Sequence, residues 1–550
     1  MNLLRSMFRQ SRRTIVLVLA FSIASSGLSV LTIAFINERL LRTPPSLGPA
    51  LLHYAGLLLA LFAFTVAAHA TMVRLAQRSM YELRRTLVKR VLDTDIERLE
   101  ALGSARILAS LSSDTGHITT ALIAFPAAAY GATLSICGFG YLAWLSPRLF
   151  LATAAWIALV AAVSVAVLTR TYRHARAMRE SEDGLYADYQ AVIEGRKELA
   201  LNRERARFVY EHEFEPNALR NREQTTRASI LNGFNDAWIN AMVLGAIGLS
   251  FFLAHGFAWA STGVAATYAL TILFLRGPLT DVAHTIPVLV NAGVSLDKVN
   301  ALELAEYQPA FEPAGVALPR DWTALSLEAL TFRYPGAGEG FHVGPIDLTL
   351  RRGEVVFLVG GNGSGKSTIA RLLTGLYRPR SGRIRIDGKV IRDTEMPSFR
   401  GLFASVFSDF HLFRQVLGPG GANADESEIL EWLDTLDMTH KVSLERGALS
   451  DTRFSFGQRK RLALLLAVME DRPILVLDEW AADQDPVFRR IFYTELLPVF
   501  KAAGKTVFAI THDEHYFHLA DRVLKADGGQ LFEYRTRHES ALRPKEVTLR

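Results

Sequence analysis

The chain has 550 residues, a formal net charge of +6, and 50% hydrophobic residues against 21% charged. That length is too great for one ordinary domain, and a mean hydropathy of +0.17 is too apolar for a soluble protein of this charge content. A single cysteine, Cys137, excludes an intrachain disulfide and a cysteine metal cluster.

The basic residues sit beside apolar runs. Arg5, Arg9, Arg12 and Arg13 precede the first run, and Arg74, Arg78, Arg84, Arg85, Lys89 and Arg90 follow the second. This is the placement of cytoplasmic charge flanking membrane spans, not of a nucleic-acid patch, so no nucleic-acid partner is expected. The apolar runs fall at 14–36, 50–73, 120–145, 149–169, 237–255 and 263–290. Each approaches the roughly twenty residues that cross a bilayer at about 1.5 Å per residue. The first is too long for a signal-peptide core and reads as an uncleaved helix. Short gaps alternate with long basic segments at 74–119 and 170–230, which read as helices continuing into the cytoplasm and back. Both termini are then cytoplasmic. The sixth run is interrupted by Arg276, Pro278, Asp281 and His284. Arg276, Asp281 and His284 either line a substrate pathway or are interfacial and ion-paired groups near the membrane edge.

Composition changes near residue 305. Pro309, Pro313 and Pro319 mark a linker at 306–322, and strands, helices and glycine turns alternate beyond it. The predicted architecture is a multidomain membrane protein. An all-α six-helix transmembrane domain occupies 1–305, and an α/β P-loop NTPase domain occupies 323–550.

The second half carries the chemistry. Gly360, Gly361, Asn362, Gly363, Ser364, Gly365, Lys366, Ser367 and Thr368 follow an apolar strand and open a helix, the setting a phosphate loop requires. The glycines turn backbone N–H groups onto phosphates, Lys366 reaches the β- and γ-phosphates of ATP, and the Ser367 hydroxyl holds Mg²⁺. A buried strand at 474–478 ends in Asp478 and Glu479. Asp478 belongs beside Mg²⁺, and Glu479 polarises the attacking water as a general base. Ser455, Gly457 and Gln458 open a basic helix whose N-terminus can hold a second phosphate, which points to a site completed by another subunit.

Phosphate loop, Ser-x-Gly-Gln signature, Asp-Glu strand and the late His512, in that order, resemble the ATP-binding cassette of ABC transporters. Six spans before one cassette is the exporter half-transporter arrangement. The resemblance implies a homodimer hydrolysing ATP at both sites. It also implies that Tyr334 stacks on adenine, that His512 contacts the γ-phosphate, and that Asp485 is the D-loop aspartate. The stretches at 103–115 and 194–199 resemble the two segments that couple the helices to the cassette.

Departures from that pattern are specific. Phe456 stands where the signature usually has glycine, and the D-loop reads Ala482-Asp483-Gln484-Asp485. Ser408 stands at the usual glutamine near Mg²⁺, where Asp409 or a water can substitute. The run 406–413, the run 478–486 and Gly195-Arg196-Lys197-Glu198-Leu199 are similar to the cyclic peptide exporter subfamily, which includes transporters of pyoverdine-type siderophores, syringomycin-type lipopeptides and a lasso-peptide microcin. The resemblance implies export of a cyclic peptide, peptide siderophore or siderophore precursor across a bacterial inner membrane. It leaves room for periplasmic and outer-membrane efflux partners. A lipid or multidrug flippase on the same scaffold is the alternative. A non-transport cassette ATPase fits poorly with six apolar spans.

Overall fold

The computed structural model describes residues 12–37, 47–311, 321–334 and 341–534. Arg5 and Arg9, residues 312–320 of the expected linker and the last sixteen residues lie outside the described residues. Two compact units are present. The first comprises residues 1–87 and 108–303, and the second comprises 88–107 and 304–550.

The first unit is helical. Its long helices are α1 (Arg12–Phe35), α2 (Leu47–Asp93), and, after the short α3 (Ile96–Leu102), α4 (Ser104–Leu145). Then come α5 (Pro147–Glu194), the short α6 (Arg196–Leu201), α7 (Arg203–Gly256) and α8 (Thr262–Asn300). Six of these are long and apolar enough to cross a membrane. On α2, Leu52, Leu59 and Phe62 lie on one face and are each about 70% exposed or more, as suits a lipid-facing helix.

Small residues set the closest helix approaches. A Cβ on Gly131 of α4 would lie 2.5 Å from the Pro278 carbonyl oxygen of α8, and one on Gly245 of α7 would lie 2.8 Å from Trp156 of α5. Without a hydrophobic driving force between helices in lipid, such close packing and interhelical hydrogen bonds hold the bundle. Trp156 Nε1 donates to Met242 O at 3.0 Å, and the Thr267 hydroxyl donates to Asn37 Oδ1 at 2.6 Å. The buried Tyr268 hydroxyl donates to the Leu142 and Ser146 carbonyls at the end of α4. Pro278 and Pro287 lie inside α8, which nevertheless runs on as one helix.

The second unit is built on two sheets. β1 (Ala324–Arg333) pairs antiparallel with β2 (His342–Arg351), and also with β4 (Ser381–Ile386), which pairs with β5 (Lys389–Val390). A separate hairpin pairs β7 (Leu444–Glu445) with β8 (Ala448–Leu449), and the other large sheet has the order β12-β11-β3-β10-β9-β6. Here β3 is Val355–Val359, β6 Phe403–Val406, β9 Ile474–Asp478, β10 Thr506–Ile510, β11 Arg522–Asp527 and β12 Gln530–Glu533. All its pairings are parallel except β11 with β12. β3, β9 and β10 are buried along their whole length, so both sheet faces are covered. Among the helices are α9 (Lys366–Leu373), α10 (Met396–Arg400), α11 (Glu426–Thr435), α12 (Phe456–Met469), α13 (Pro486–Ile491) and α14 (Leu497–Ala502).

The same unit contains α3. Asp95 pairs with Arg378 at 3.1 Å and Arg400 at 3.7 Å, Glu100 pairs with Arg371 at 3.8 Å, and the Tyr377 hydroxyl donates to Glu100. Arg90 donates to the Leu304 and Ala305 carbonyls. Asp95 and Glu100 lie just before the 103–115 stretch that resembles a coupling segment.

Candidate functional site

The carboxyl ends of β3, β9 and β10 converge on one edge of the parallel sheet, where α/β proteins bind ligands. The loop after β3 turns on Gly360, Gly363 and Gly365 at φ of +153°, +75° and +99°. A side chain at Gly360 would meet the Ala526 carbonyl oxygen at 2.4 Å and Ser364 Oγ at 2.7 Å, so only glycine fits. Asn362 is exposed at the loop tip, and Gly365 caps the start of α9.

Lys366 is nearly buried, and its Nζ folds back to the Gly360 and Gly361 carbonyls at 2.9 and 3.1 Å. The Ser364 hydroxyl is buried with no hydrogen-bond partner, a donor left over inside the cradle. Thr368 Oγ1 lies 2.8 Å from the Tyr334 hydroxyl, and the Tyr334 ring meets Phe332 and Tyr377 edge-on.

Asp478 closes β9 and is 2% exposed. Burial pushes its carboxyl above the ordinary aspartate range, opposed by hydrogen bonds from Ser367 and Ser408. The Ser408 hydroxyl stands 3.4 Å from Asp478 Oδ2. Asp409 turns the other way and pairs with Arg371 at 3.3 Å. Ser367, Asp478 and Ser408 are thus brought together and Asp409 is not. These oxygens are hard ligands that suit Mg²⁺, which keeps most of its shell for phosphate oxygens and water.

Glu479 follows at φ +50°, ψ +37°, a left-handed conformation that a glutamate seldom adopts. Its N–H donates to the Ile510 carbonyl at 3.0 Å. Glu479 Oε1 lies 3.2 Å from His512 Nε2 and 3.8 Å from Lys366 Nζ. Both Glu479 and His512 keep partly exposed side chains that a nucleotide and water can reach. A carboxylate, an imidazole and a lysine converging beside a phosphate cradle can orient and deprotonate a water attacking a phosphoryl group.

The remaining sequence-predicted residues lie on α12 and the turn after β9. Ser455 caps α12, accepting from Gln458 N at 3.4 Å, while Gln458 Oε1 accepts from Ser455 N at 3.3 Å. A Cβ on Gly457 would sit 2.6 Å from the Asp483 carbonyl oxygen, so glycine lets α12 approach that turn. Asp485 caps α13 through Val487 N and Phe488 N and pairs with Arg461 at 2.7 Å, so both of its oxygens are engaged. The Phe488 N–H, with Arg461 and the other cap bonds, holds its carboxyl below the usual range. In the first unit, Arg276, Asp281 and His284 are exposed along α8 of the single chain.

Sequence reasoning missed Lys460, Arg461, Arg371 and Tyr377. Lys460 and Arg461 fall in the run of three cations Arg459–Arg461 at the start of α12, and their burial, which the run does not disclose, sets them apart.

Comparison with known proteins matches each of the two units. The ABC transporter family model matches residues 343–482, and the ABC transporter transmembrane region model matches residues 14–279. The chain belongs to the ABC transporters. It is an ATPase coupled to transport, using ATP with Mg²⁺, and a multi-pass membrane exporter. Among individual relatives, it is 33% identical over 523 residues to ATP-binding protein SyrD of Pseudomonas syringae pv. syringae, covering 92% of this chain and 91% of that protein. It is 25% identical to the ATP-dependent lipid A-core flippase of Methylobacillus flagellatus, over 83% of this chain and 79% of the flippase. The fold matches a bacterial Atm1-family ABC exporter with ATP bound, with a TM-score of 0.71 at 18% identity, covering 95% of this chain and 94% of that one.

Proposed function

We propose that the protein is a homodimeric exporter of a cyclic peptide, peptide siderophore or siderophore precursor, moving it across the bacterial inner membrane by alternating access. One chain carries one phosphate loop and one signature. Two chains then form two equivalent sites, each pairing the 360–368 loop of one with Ser455, Gly457 and Gln458 of the other. Lys366 binds the β- and γ-phosphates, His512 contacts the γ-phosphate, and Tyr334 supports adenine. Ser367 and Asp478 would hold Mg²⁺ with Ser408 alongside, and when bound the ion would supply positive charge against that developing on the phosphates. Glu479 takes the proton of the attacking water. Asp485 fixes the turn between α13 and Arg461.

Transport work requires that ATP bind the inward- and outward-facing states with different affinity. Arg276, Asp281 and His284 are the proposed polar lining of the path on α8. Periplasmic and outer-membrane proteins would receive the product in a Gram-negative cell.

The observation that carries the enzymatic half is the approach of Glu479 Oε1 to His512 and Lys366 beside the glycine cradle. The substrate half rests on the 406–413 and 478–486 runs and their likeness to the cyclic peptide exporter subfamily. Similarity to lipid A-core flippases, at 25–28% identity over 70–83% of the chain, favours lipid as the second reading.

The test is ATPase activity of the protein in lipid nanodiscs, with Glu479→Gln as control, against panels of cyclic peptides, siderophore precursors and lipids. Stimulation by a peptide ligand that is lost in Glu479→Gln supports the proposal. Stimulation by lipids alone overturns the peptide reading.

A further inference from the structure

The geometry points to Lys460 as a positioning residue that ties the signature helix of each chain to the backbone of that chain's own Glu479. The inference rests on Glu479 being the general base.

Lysine is seldom fully buried unless paired. Lys460 is 1% exposed. Its Nζ donates to the Glu479 carbonyl and to Asp483 Oδ2, both at 2.6 Å. In return, Trp480 Nε1 donates to the Lys460 carbonyl at 2.7 Å. Lys460 therefore holds the carbonyl of the 479–480 peptide, and the Trp480 side chain ties back to the Lys460 backbone. The Glu479 N–H is already held by Ile510 of β10. A residue in a left-handed conformation persists only where its surroundings over-determine it, and here the two anchors are β10 on one side and Lys460 on the other. Rotation of the 479–480 peptide would swing the carboxylate away from His512 and Lys366.

The departures from the family pattern gather around this grip. Phe456, in the signature's usual glycine position, places its ring 5.2 Å from Lys460 Nζ and 5.3 Å from the Arg459 guanidinium. Phe410, two residues after Ser408, lies 5.9 Å from Phe456. Asp483, in the unusual D-loop, supplies the countercharge. Ser455 and Lys460 share one helix, so a shift of the α12 N-terminus moves Lys460 with it. In a dimer that N-terminus engages the nucleotide of the other chain. Lys460 thus links the two sites: signature engagement at one sets the base at the other.

The experiment compares Lys460→Met, Lys460→Arg, Asp483→Asn and Glu479→Gln as full-length dimers in nanodiscs. It reads kcat, KM and Hill coefficient for MgATP, nucleotide affinity by displacement of a fluorescent ATP analogue, and Tm. Lys460→Met is expected to lower kcat about ten-fold or more with nucleotide affinity within about two-fold, and to bring the Hill coefficient towards one. Lys460→Arg should recover most of the loss, and Asp483→Asn should lower kcat by roughly three-fold.

Unchanged kcat in Lys460→Met, or a fall matched by lost nucleotide affinity, overturns the inference. If Lys460→Met does not fold, Asp483→Asn decides alone, because that side chain is half exposed. Wild-type turnover in Glu479→Gln would sink the general-base reading and this inference with it. An inactive Glu479→Gln beside a fully active Lys460→Met sinks the inference only.

Discussion

Around the phosphate loop, the chain achieves its geometry with backbone: glycines at positive φ, a lysine folded onto its own loop, and strand ends fixed by the sheet. Around the start of α12, it uses side chains: Phe456, Lys460, Asp483 and Arg461 bridge elements through rings and ion pairs. The first face keeps the residues its motif demands, and the second departs from the family pattern at several positions. Backbone geometry admits few substitutes, because a Cβ either clashes or does not. A side-chain bridge can be rebuilt from other residue types, provided its charges are matched.

Substitutions can sharpen or break that contrast. The largest effect is expected at Glu479→Gln, where loss of the general base should cut kcat by about 10²–10⁴-fold while ATP still binds. Single-turnover hydrolysis beside equilibrium binding would check it. Next comes Gly360→Ala. The clash with the Ala526 carbonyl at 2.4 Å and the positive φ should add about 1–3 kcal/mol of strain and weaken nucleotide binding. Gly361→Ala has open space and ordinary φ, so it should bind nucleotide nearly as wild type does. Equal behaviour of the two in a binding titration would refute the backbone account.

On the other face, Phe456→Gly restores the family's usual residue yet should lower stability by ~0.5–1 kcal/mol, read as a Tm shift, and reduce turnover by uncovering Lys460. A gain in turnover would show that the ring is not part of the bridge. A pH titration probes the buried Asp478. Burial raises its pKa, so without metal it takes up a proton at higher pH than a free aspartate does. Protons and Mg²⁺ compete for it, and raising Mg²⁺ should move the acid limb of kcat/KM to lower pH. A limb indifferent to Mg²⁺ would remove Asp478 from the metal site. The smallest change is expected from Arg378→Ala. This partly exposed ion pair with Asp95 should cost under ~1 kcal/mol by thermal unfolding.

Much of this was legible in the sequence, for identifiable reasons. Apolar run length pointed to six spans, since a bilayer imposes a minimum, and six helices are long and apolar enough to cross one. The basic segment after the second run did continue as helix, with α2 reaching Asp93. The sixth run looked interrupted at Pro278, yet α8 continues to Asn300, and Gly131 leaves room for the Pro278 carbonyl. That accommodation lies on another helix and is invisible locally. The phosphate loop and Asp478–Glu479 were readable because backbone chemistry ties spacing to function. The ion pairs of Asp95 and Glu100 were not foreseen, since a charged helix face looks the same whether it meets water or Arg378 and Arg400. Asp409 was offered as a metal ligand beside Ser408. Only the structure could show that neighbouring residues point oppositely, one to Asp478 and the other to Arg371.

The pairing of buried Lys460 with half-exposed Asp483 constrains descent. A lysine arriving first at position 460 would strand a cation in the interior, and an acid arriving first at 483 would gain nothing there. The order of arrival therefore matters: the acid can come first at little cost, and the lysine cannot. Relatives with lysine at the first position should therefore carry an acid at the second, and lineages that lost the acid should have lost the lysine too. The pair becomes an inherited mark of common origin within this branch of transporters, separable from any likeness in what is carried.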